Sequence, residues 1–356
     1  MLVRDEGSGL KERRQVQEVN GSALGFSMLF LAGAMNGSFA LPMKFTRKWA
    51  WENTWAIWTL FALFLFPFLL AYVTVPQLNS AYSQAGAWVV FLVAVCGAGW
   101  GIAQVLFGLA VEAIGIALTF SVVLGLSAAL GSLIPLFRLH PDEVVSPAGL
   151  AAISGVALVL VGVGICAVAG RKREAALGAT KARTSVTRGL VFCALSGVLA
   201  SLMNFGLAFG GPILEAAQKN GAPKLWSPNA VFFPLMLAGG VPNLAYCVYL
   251  MRKNNTANRF REVGSASHWF LAGFMAVAWF GSTILYGAST TTLGQLGTVL
   301  AWPLFMSLIV ITASICGAAT GEWKSAGPQP FRVMAAGVGV LILAIFVLAL
   351  SSRMRG

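Results

Sequence analysis

Residues 100–115 read WGIAQVLFGLAVEAIG, and residues 279–294 read WFGSTILYGASTTTLG. Both stretches place a Trp, six residues, an aromatic followed by Gly, five residues, then Ile or Leu followed by Gly. The first supplies Trp100, Phe107, Gly108, Ile114 and Gly115; the second supplies Trp279, Tyr286, Gly287, Leu293 and Gly294. Each matched pair is offset by 179 residues in a chain of 356. Both copies lie where two long apolar segments meet. Self-similarity at half the chain length points to a duplicated unit. Five permissive positions can also arise from parallel helix-packing needs, so the rest of the chain has to bear on the choice.

Composition sets the class. With 58% hydrophobic and 10% charged residues, and a mean hydropathy of +0.79, the chain lies far outside the range of soluble domains. Crossing about 30 Å of hydrocarbon takes roughly 20 mostly apolar residues in a helix. Ten such stretches are expected: 24–43, 54–73, 87–110, 114–137, 148–168, 189–211, 229–251, 268–287, 293–317 and 331–350. Their length and continuity exclude a β-barrel, whose strands are short and alternating. The expected fold is therefore an all-α polytopic membrane protein of ten transmembrane helices, divided as five plus five. An odd number of spans per half makes the second copy enter the membrane in the opposite sense, an inverted repeat of the kind common in secondary transporters. The organisation expected is a polar tail over 1–22, a first five-helix repeat over 23–169, a basic linker over 170–188 and a second repeat over 189–356. The tail mixes Arg4, Lys11, Arg13 and Arg14 with Asp5, Glu6, Glu12 and Glu18, and reads as a solvated segment rather than a cleaved signal.

Lys and Arg gather on the cytoplasmic side of short loops. Odd-numbered loops carry 15 of them, against 9 in the even-numbered loops and both tails together, which places both termini outside. This bias accounts for the net charge of +12, and no nucleic-acid partner is expected. Cys96, Cys166, Cys193, Cys247 and Cys316 all fall within apolar runs, where a thiol behaves as a small hydrophobe. There is no CxxC, and His140 and His268 are the only histidines. Neither a disulfide, a metal site nor a cofactor is expected.

Residues 33–55 read GAMNGSFALPMKFTRKWAWENTW. The small-residue first helix ends in Pro42 and Lys44, and the junction Lys48-Trp49-Ala50-Trp51-Glu52 is followed by Trp55. Further blocks are Gly97-Ala98-Gly99-Trp100-Gly101 and Gly321-Glu322-Trp323-Lys324, with Ala326-Gly327 after it. On these blocks the chain, from about residue 24 to 350, resembles the L-rhamnose:proton symporter family of the drug/metabolite transporter superfamily. The resemblance implies a membrane carrier that moves a deoxy-sugar together with protons. The charged N-terminal extension is not part of the shared pattern.

Within that reading the polar residues inside apolar segments become candidates. Asn36, Gln104, Asn204, Asn243 and Gln295 are amides in places where an unpaired polar group is costly. Each can hold helices together or match a vicinal diol with its donor and acceptor. Gln104 lies one turn from Trp100 on the same helix face, and Gln295 directly follows Gly294 of the repeat. Trp100 and Trp279 can stack on the apolar face of a sugar ring, or pack the core. The substrate-binding candidates are thus Asn36, Trp100, Gln104, Asn204, Trp279, Tyr286 and Gln295. Trp49, Trp51, Trp55, Trp58, Trp226 and Trp323 are more simply explained as interfacial anchors. The small-residue faces around Gly97 and Gly101 read as tight helix packing.

No Asp or Glu falls at the centre of an expected span, so proton coupling has few candidates. Glu52 begins the second helix, with Lys44 and Lys48 as ion-pair candidates across a tight turn; His268 near the start of the eighth is the other titrating group. The leading expectation is a sugar:proton symporter of the inner membrane, a non-enzyme whose partners are a small sugar, protons and the bilayer. The competing expectation keeps the fold and makes the chain an exporter or facilitator of another metabolite, an amino acid or nucleotide precursor. A membrane enzyme would need a catalytic constellation such as HExxH or a paired Asp in a membrane-proximal loop, and the chain has neither.

Overall fold

Because hydrocarbon offers no hydrogen-bond partner, apolar segments of this length satisfy their backbones by coiling. Ten of them do so in the computed structural model, which describes residues 6–178, 186–262, 264–293, 297–321 and 323–354. Gly294, Gln295 and Glu322 lie outside the described residues. The spans are α1 Gly21–Phe45, α2 Trp51–Thr74 and α3 Ala87–Ile114. They continue with α4 Ile116–Leu139, α5 Pro147–Ala176, α6 Thr187–Lys219, α7 Asn229–Lys253, α8 Ala266–Thr292, α9 Gly297–Ala319 and α10 Pro328–Ser352. The protein is an all-α, multi-pass membrane protein, and no strand occurs among the described residues.

The ten expected stretches fall within or close to these helices. The sixth is longer than expected and broken: it runs as Val186–Ala200, Leu202–Phe209 and Gly211–Lys219, bending at Ser201 and Gly210. The second changes its winding, with α-helix over Trp51–Thr59, a π-helical turn over Leu60–Leu65, and α-helix again from Phe66, with Pro67 in its first turn. Side chains facing lipid are large and apolar, among them Phe30, Val73, Trp88, Phe270 and Phe346.

The helices pack in a regular scheme. Helix α3 lies on α6 as α8 lies on α1; α4 lies on α6 as α9 lies on α1; α4 lies on α5 as α9 lies on α10. Helices α5 and α10, α4 and α9, and α2 and α7 pack on each other directly. Advancing every helix number by five turns each of these contacts into another of them or into itself.

Close approach of backbones fixes the crossing of α3 and α7. A Cβ added at Gly97 would stand 1.9 Å from the Leu235 carbonyl oxygen, and one at Gly101 would stand 2.2 Å from that of Gly239. The small-residue face of α3 is thus a packing surface, as the sequence suggested. At the other end of α3, Gly115 alone separates Ile114 from Ile116 and holds φ at +90°. L-residues with a Cβ are strained there.

Prolines inside the spans leave carbonyls without donors, because residue i has no N–H for the oxygen of i−4. Three of the freed oxygens, one in each of three helices, are taken by side chains from elsewhere. Pro135 frees Gly131, whose oxygen accepts from Asn204 Nδ2 at 2.6 Å. Pro303 frees Val299, whose oxygen accepts from Ser132 Oγ at 2.8 Å. Pro234 frees Ala230, whose oxygen accepts from the Tyr82 hydroxyl at 2.9 Å. In lipid such re-satisfaction is what makes an interior proline tolerable. The prolines therefore pin α4 to α6, α9 to α4, and α7 to the α2–α3 connection.

Candidate functional site

The two tryptophans matched by the sequence spacing meet inside the bundle. Trp100 of α3 stacks on Trp279 of α8, with centroids 5.6 Å apart and an interplanar angle of 26°. Trp58 of α2 meets Trp279 edge-on at 5.1 Å, and Trp55 lies 4.4 Å from Trp58. Trp51 stacks on Trp55, and Phe39 of α1 touches both Trp55 and Trp58. This aromatic column runs from the start of α2 inward, and α1, α2, α3 and α8 contribute to it.

Two tryptophans expected at the interface, Trp49 and Trp58, are buried instead. Trp51 is 42% exposed, as an interfacial anchor should be, whereas Trp58 is 1% exposed and Trp49 5%. Trp58 stands seven residues into α2, about 10 Å along the helix axis from Trp51, and is enclosed by Trp279 and Phe39. Its Nε1 has no hydrogen-bond partner among the described residues, and neither has the neighbouring Thr59 Oγ1. A buried donor left unpaired costs about 1–3 kcal/mol.

The amides fall into three settings. Asn36 donates from Nδ2 to Ser282 Oγ at 2.8 Å, and Ser282 donates to the Trp279 carbonyl at 2.6 Å. Asn36 is thereby brought one helical turn from the stacked tryptophans. Asn243 of α7 accepts from Trp55 Nε1 at 3.3 Å and donates to the carbonyls of Gly101 and Gly239 at 3.3 and 3.0 Å. Asn204 of α6 donates to the carbonyls of Gly131 and Thr298, at 2.6 and 3.1 Å, and accepts from the Tyr286 hydroxyl. Four helices meet at that fully buried Asn204–Tyr286 node, where the Tyr286 ring also stacks on Phe305. Gln104 is half-buried on α3 with no hydrogen bond among the described residues. Gln295 lies outside them.

Glu52 occupies a polar knot at one face of the bundle. Its side chain is 4% exposed, and Oε1 accepts from Thr256 Oγ1 at 2.7 Å and Asn254 Nδ2 at 3.0 Å. The next residue, Asn53, accepts the Ala50 N–H at 3.2 Å, which caps α2, and donates to the Thr256 carbonyl at 3.0 Å. Trp49 Nε1 donates to the Arg259 carbonyl at 3.1 Å. The start of α2 is thus tied at several points to the α7–α8 connection. The hydrogen bonds of the Glu52 carboxylate run to that connection and not to Lys44 or Lys48. Lys44 Nζ instead donates to Thr320 Oγ1 at the end of α9, 3.2 Å away.

His268 belongs to the same knot. Its Nε2 accepts the Lys48 N–H at 3.3 Å, and Nδ1 lies 3.1 Å from Ser267 Oγ. An accepting Nε2 requires a neutral ring with its proton on Nδ1, so protonation of the ring would break the bond to Lys48. Asn53, Asn254 and Thr256 were not singled out by sequence reasoning, and polar residues beside a span end carry no distinguishing mark. Groups of His, Cys, Asp and Glu able to hold a metal do not occur among the described residues.

The opposite face carries a second set of ties. Asn229 Nδ2, at the start of α7, donates to Thr74 Oγ1 at 2.9 Å, and Gln84 Nε2 donates to Asn220 Oδ1 at 3.1 Å. With the Tyr82 bond to Ala230, these fasten the start of α7 and the α6–α7 connection to the end of α2 and the α2–α3 connection. Advancing helix numbers by five carries the Glu52 knot onto this one.

Comparison with known proteins places the whole bundle in one family. Residues 19–353 match the family described as L-rhamnose-proton symport protein. A protein from Mannheimia succiniciproducens named L-rhamnose-proton symporter is 25% identical over 334 residues, which cover 92% of this chain and 97% of the relative. A protein of the same name from Yersinia pestis is 26% identical over 338 residues, 93% of this chain and 98% of the relative. A third, from Pectobacterium atrosepticum, is 25% identical with 92% and 97% covered. With a family match over residues 19–353 and relatives matched along nearly their full length, this chain belongs to the L-rhamnose-proton symport protein family.

Proposed function

We propose that this protein is a secondary active transporter of the cell inner membrane that carries L-rhamnose, or a related deoxy-sugar, together with protons, and that it has no enzymatic activity. The relatives' names supply the substrate class. The observation that carries the mechanism is the pair of polar knots at opposite faces, related by the same step of five helices that relates the packing contacts. Two equivalent closures flanking a central aromatic column are what alternating access between inverted halves requires. The units we infer are the tail 1–22, the halves 23–169 and 189–356, and the linker 170–188 between them.

In this reading the apolar face of the sugar ring lies on the indoles of Trp100 and Trp279, which part as the halves rock. Asn36 offers its amide to a ring hydroxyl. Gln104 supplies a second amide from the turn beside Trp100. Asn204 and Tyr286 form the other end of the path, and Gln295, outside the described residues, is the remaining substrate-binding candidate. Glu52 is the proton-coupling group, and His268 is the second candidate in the same knot. Ionised, Glu52 holds the α7–α8 connection through charge-assisted bonds to Asn254 and Thr256. Protonation weakens those bonds and loosens that face.

The substrate assignment is tested by uptake into proteoliposomes carrying the purified protein. Labelled L-rhamnose is expected to enter and to be competed by other deoxy-hexoses. Entry of labelled amino acids without any entry of L-rhamnose would overturn the assignment and leave the fold untouched.

A further inference from the structure

Three interior indole N–H groups in this protein have acceptors. Trp49 donates to the Arg259 carbonyl, Trp55 to Asn243 Oδ1, and Trp302 to the Ser127 carbonyl at 2.8 Å. Hydroxyls within the spans also find partners: Thr74, Thr119 and Thr283 each bond the carbonyl of the preceding turn. Of the three side-chain polar atoms that are buried and unpaired among the described residues, Asn220 Nδ2 lies in the α6–α7 connection, while Trp58 Nε1 and Thr59 Oγ1 sit on consecutive residues of α2. Trp58 is 1% exposed and Thr59 fully buried.

Their position adds two independent observations. Trp58 touches Trp279, one of the two repeat tryptophans, and so belongs to the central aromatic column. Thr59 is the last α-helical residue before the π-helical turn Leu60–Leu65. Such turns are rare, and they occur frequently at functional sites. Buried polar groups in native proteins are nearly always paired, and an exception calls for an occupant or a role.

We propose that Trp58 and Thr59 are substrate-binding residues, with the Trp58 N–H and the Thr59 hydroxyl engaging hydroxyl groups of a polyhydroxylated substrate held against the aromatic column. This rests on the transport reading above and extends it to α2, whose tryptophans the sequence assigned to the interface. A polyol suits both groups, because each of its hydroxyls both accepts and donates. A site built to bond a hydroxyl rejects analogues that lack it far more strongly than an apolar pocket rejects an added group.

The test is equilibrium binding to purified protein for wild type, Trp58→Phe, Thr59→Val and Thr59→Ser, with thermal unfolding measured alongside. The ligands are L-rhamnose, its singly deoxygenated analogues, other monosaccharides, and amino acids. Trp58→Phe keeps an aromatic ring and removes the donor; Trp88→Phe, at a lipid-facing position, is the control. The expected result is a loss of tenfold or more in affinity for Trp58→Phe and for Thr59→Val, with Thr59→Ser close to wild type. For one deoxygenated analogue the penalty of Trp58→Phe should vanish, which a merely structural role would not produce. Should Trp58→Phe fail to fold, the Thr59→Val and Thr59→Ser pair decides by the same criterion. Wild-type affinity in both Trp58→Phe and Thr59→Val overturns the proposal, as does a wild type that binds only ligands without hydroxyls. A wild type that ignores L-rhamnose but binds another polyol through these residues overturns the rhamnose reading alone.

Discussion

Glu52→Gln is expected to leave exchange of substrate across the membrane intact and to abolish accumulation driven by a pH gradient. The amide keeps an acceptor oxygen in place of Oε1, so bonds from Asn254 and Thr256 can persist in shape. What it loses is the charge, and with it the stronger half of those bonds. A side chain that cannot release a proton cannot alternate between the tight and loose states of the knot. Counterflow of labelled substrate, which needs only rocking of the loaded carrier, measures the retained activity. Uptake against a gradient under an imposed pH difference measures the lost one. Concentrative uptake at wild-type levels by Glu52→Gln would make Glu52 a structural residue and move the coupling role to His268.

Gly97→Ala and Gly108→Ala are expected to change stability in opposite directions, although both lie on α3. The methyl at residue 97 would stand 1.9 Å from the Leu235 carbonyl oxygen, and only separation of α3 from α7 can relieve that contact. Overpacking of this kind costs about 1–3 kcal/mol and occasionally more, and rigid backbone atoms on the other side favour the upper end. Nothing lies within 4 Å of a methyl at residue 108. There the gain in helix propensity, up to about 1 kcal/mol, acts alone. Unfolding of the two variants in detergent by heat, followed by fluorescence, checks the sign of each. Equal behaviour would mean that the α3–α7 crossing is not held by close contact at Gly97.

Much of this bundle was legible because hydrocarbon leaves a chain few choices. Ten apolar runs had to be helices, and the glycine face of α3 had to meet a neighbour. Trp100 and Trp279, the pair that the spacing matched, stack on each other. Sequence could not tell Trp58 from Trp51. Both lie on α2 amid other aromatics, and only the packing of α1 and α8 decides that one is enclosed and the other exposed. The partners of Glu52 were hidden for another reason. Asn254 and Thr256 lie 202 and 204 residues away along the chain, in a connection whose composition is ordinary. Lys44 and Lys48 were near in sequence and drew attention on that ground, but the fold turns the carboxylate toward the more distant loop. Asn204 likewise gave no sign that the carbonyl freed by Pro135 would be one of its partners.

The central claim is that substrate and protons move together through this bundle. Proteoliposomes loaded with a pH-sensitive dye, held at zero membrane potential and given a saturating pulse of L-rhamnose on one side, test it directly. The account predicts acidification of the lumen that begins with sugar entry, stops when substrate is omitted, and is lost in Glu52→Gln while exchange continues. Sugar entry at the wild-type rate with no movement of protons would contradict it.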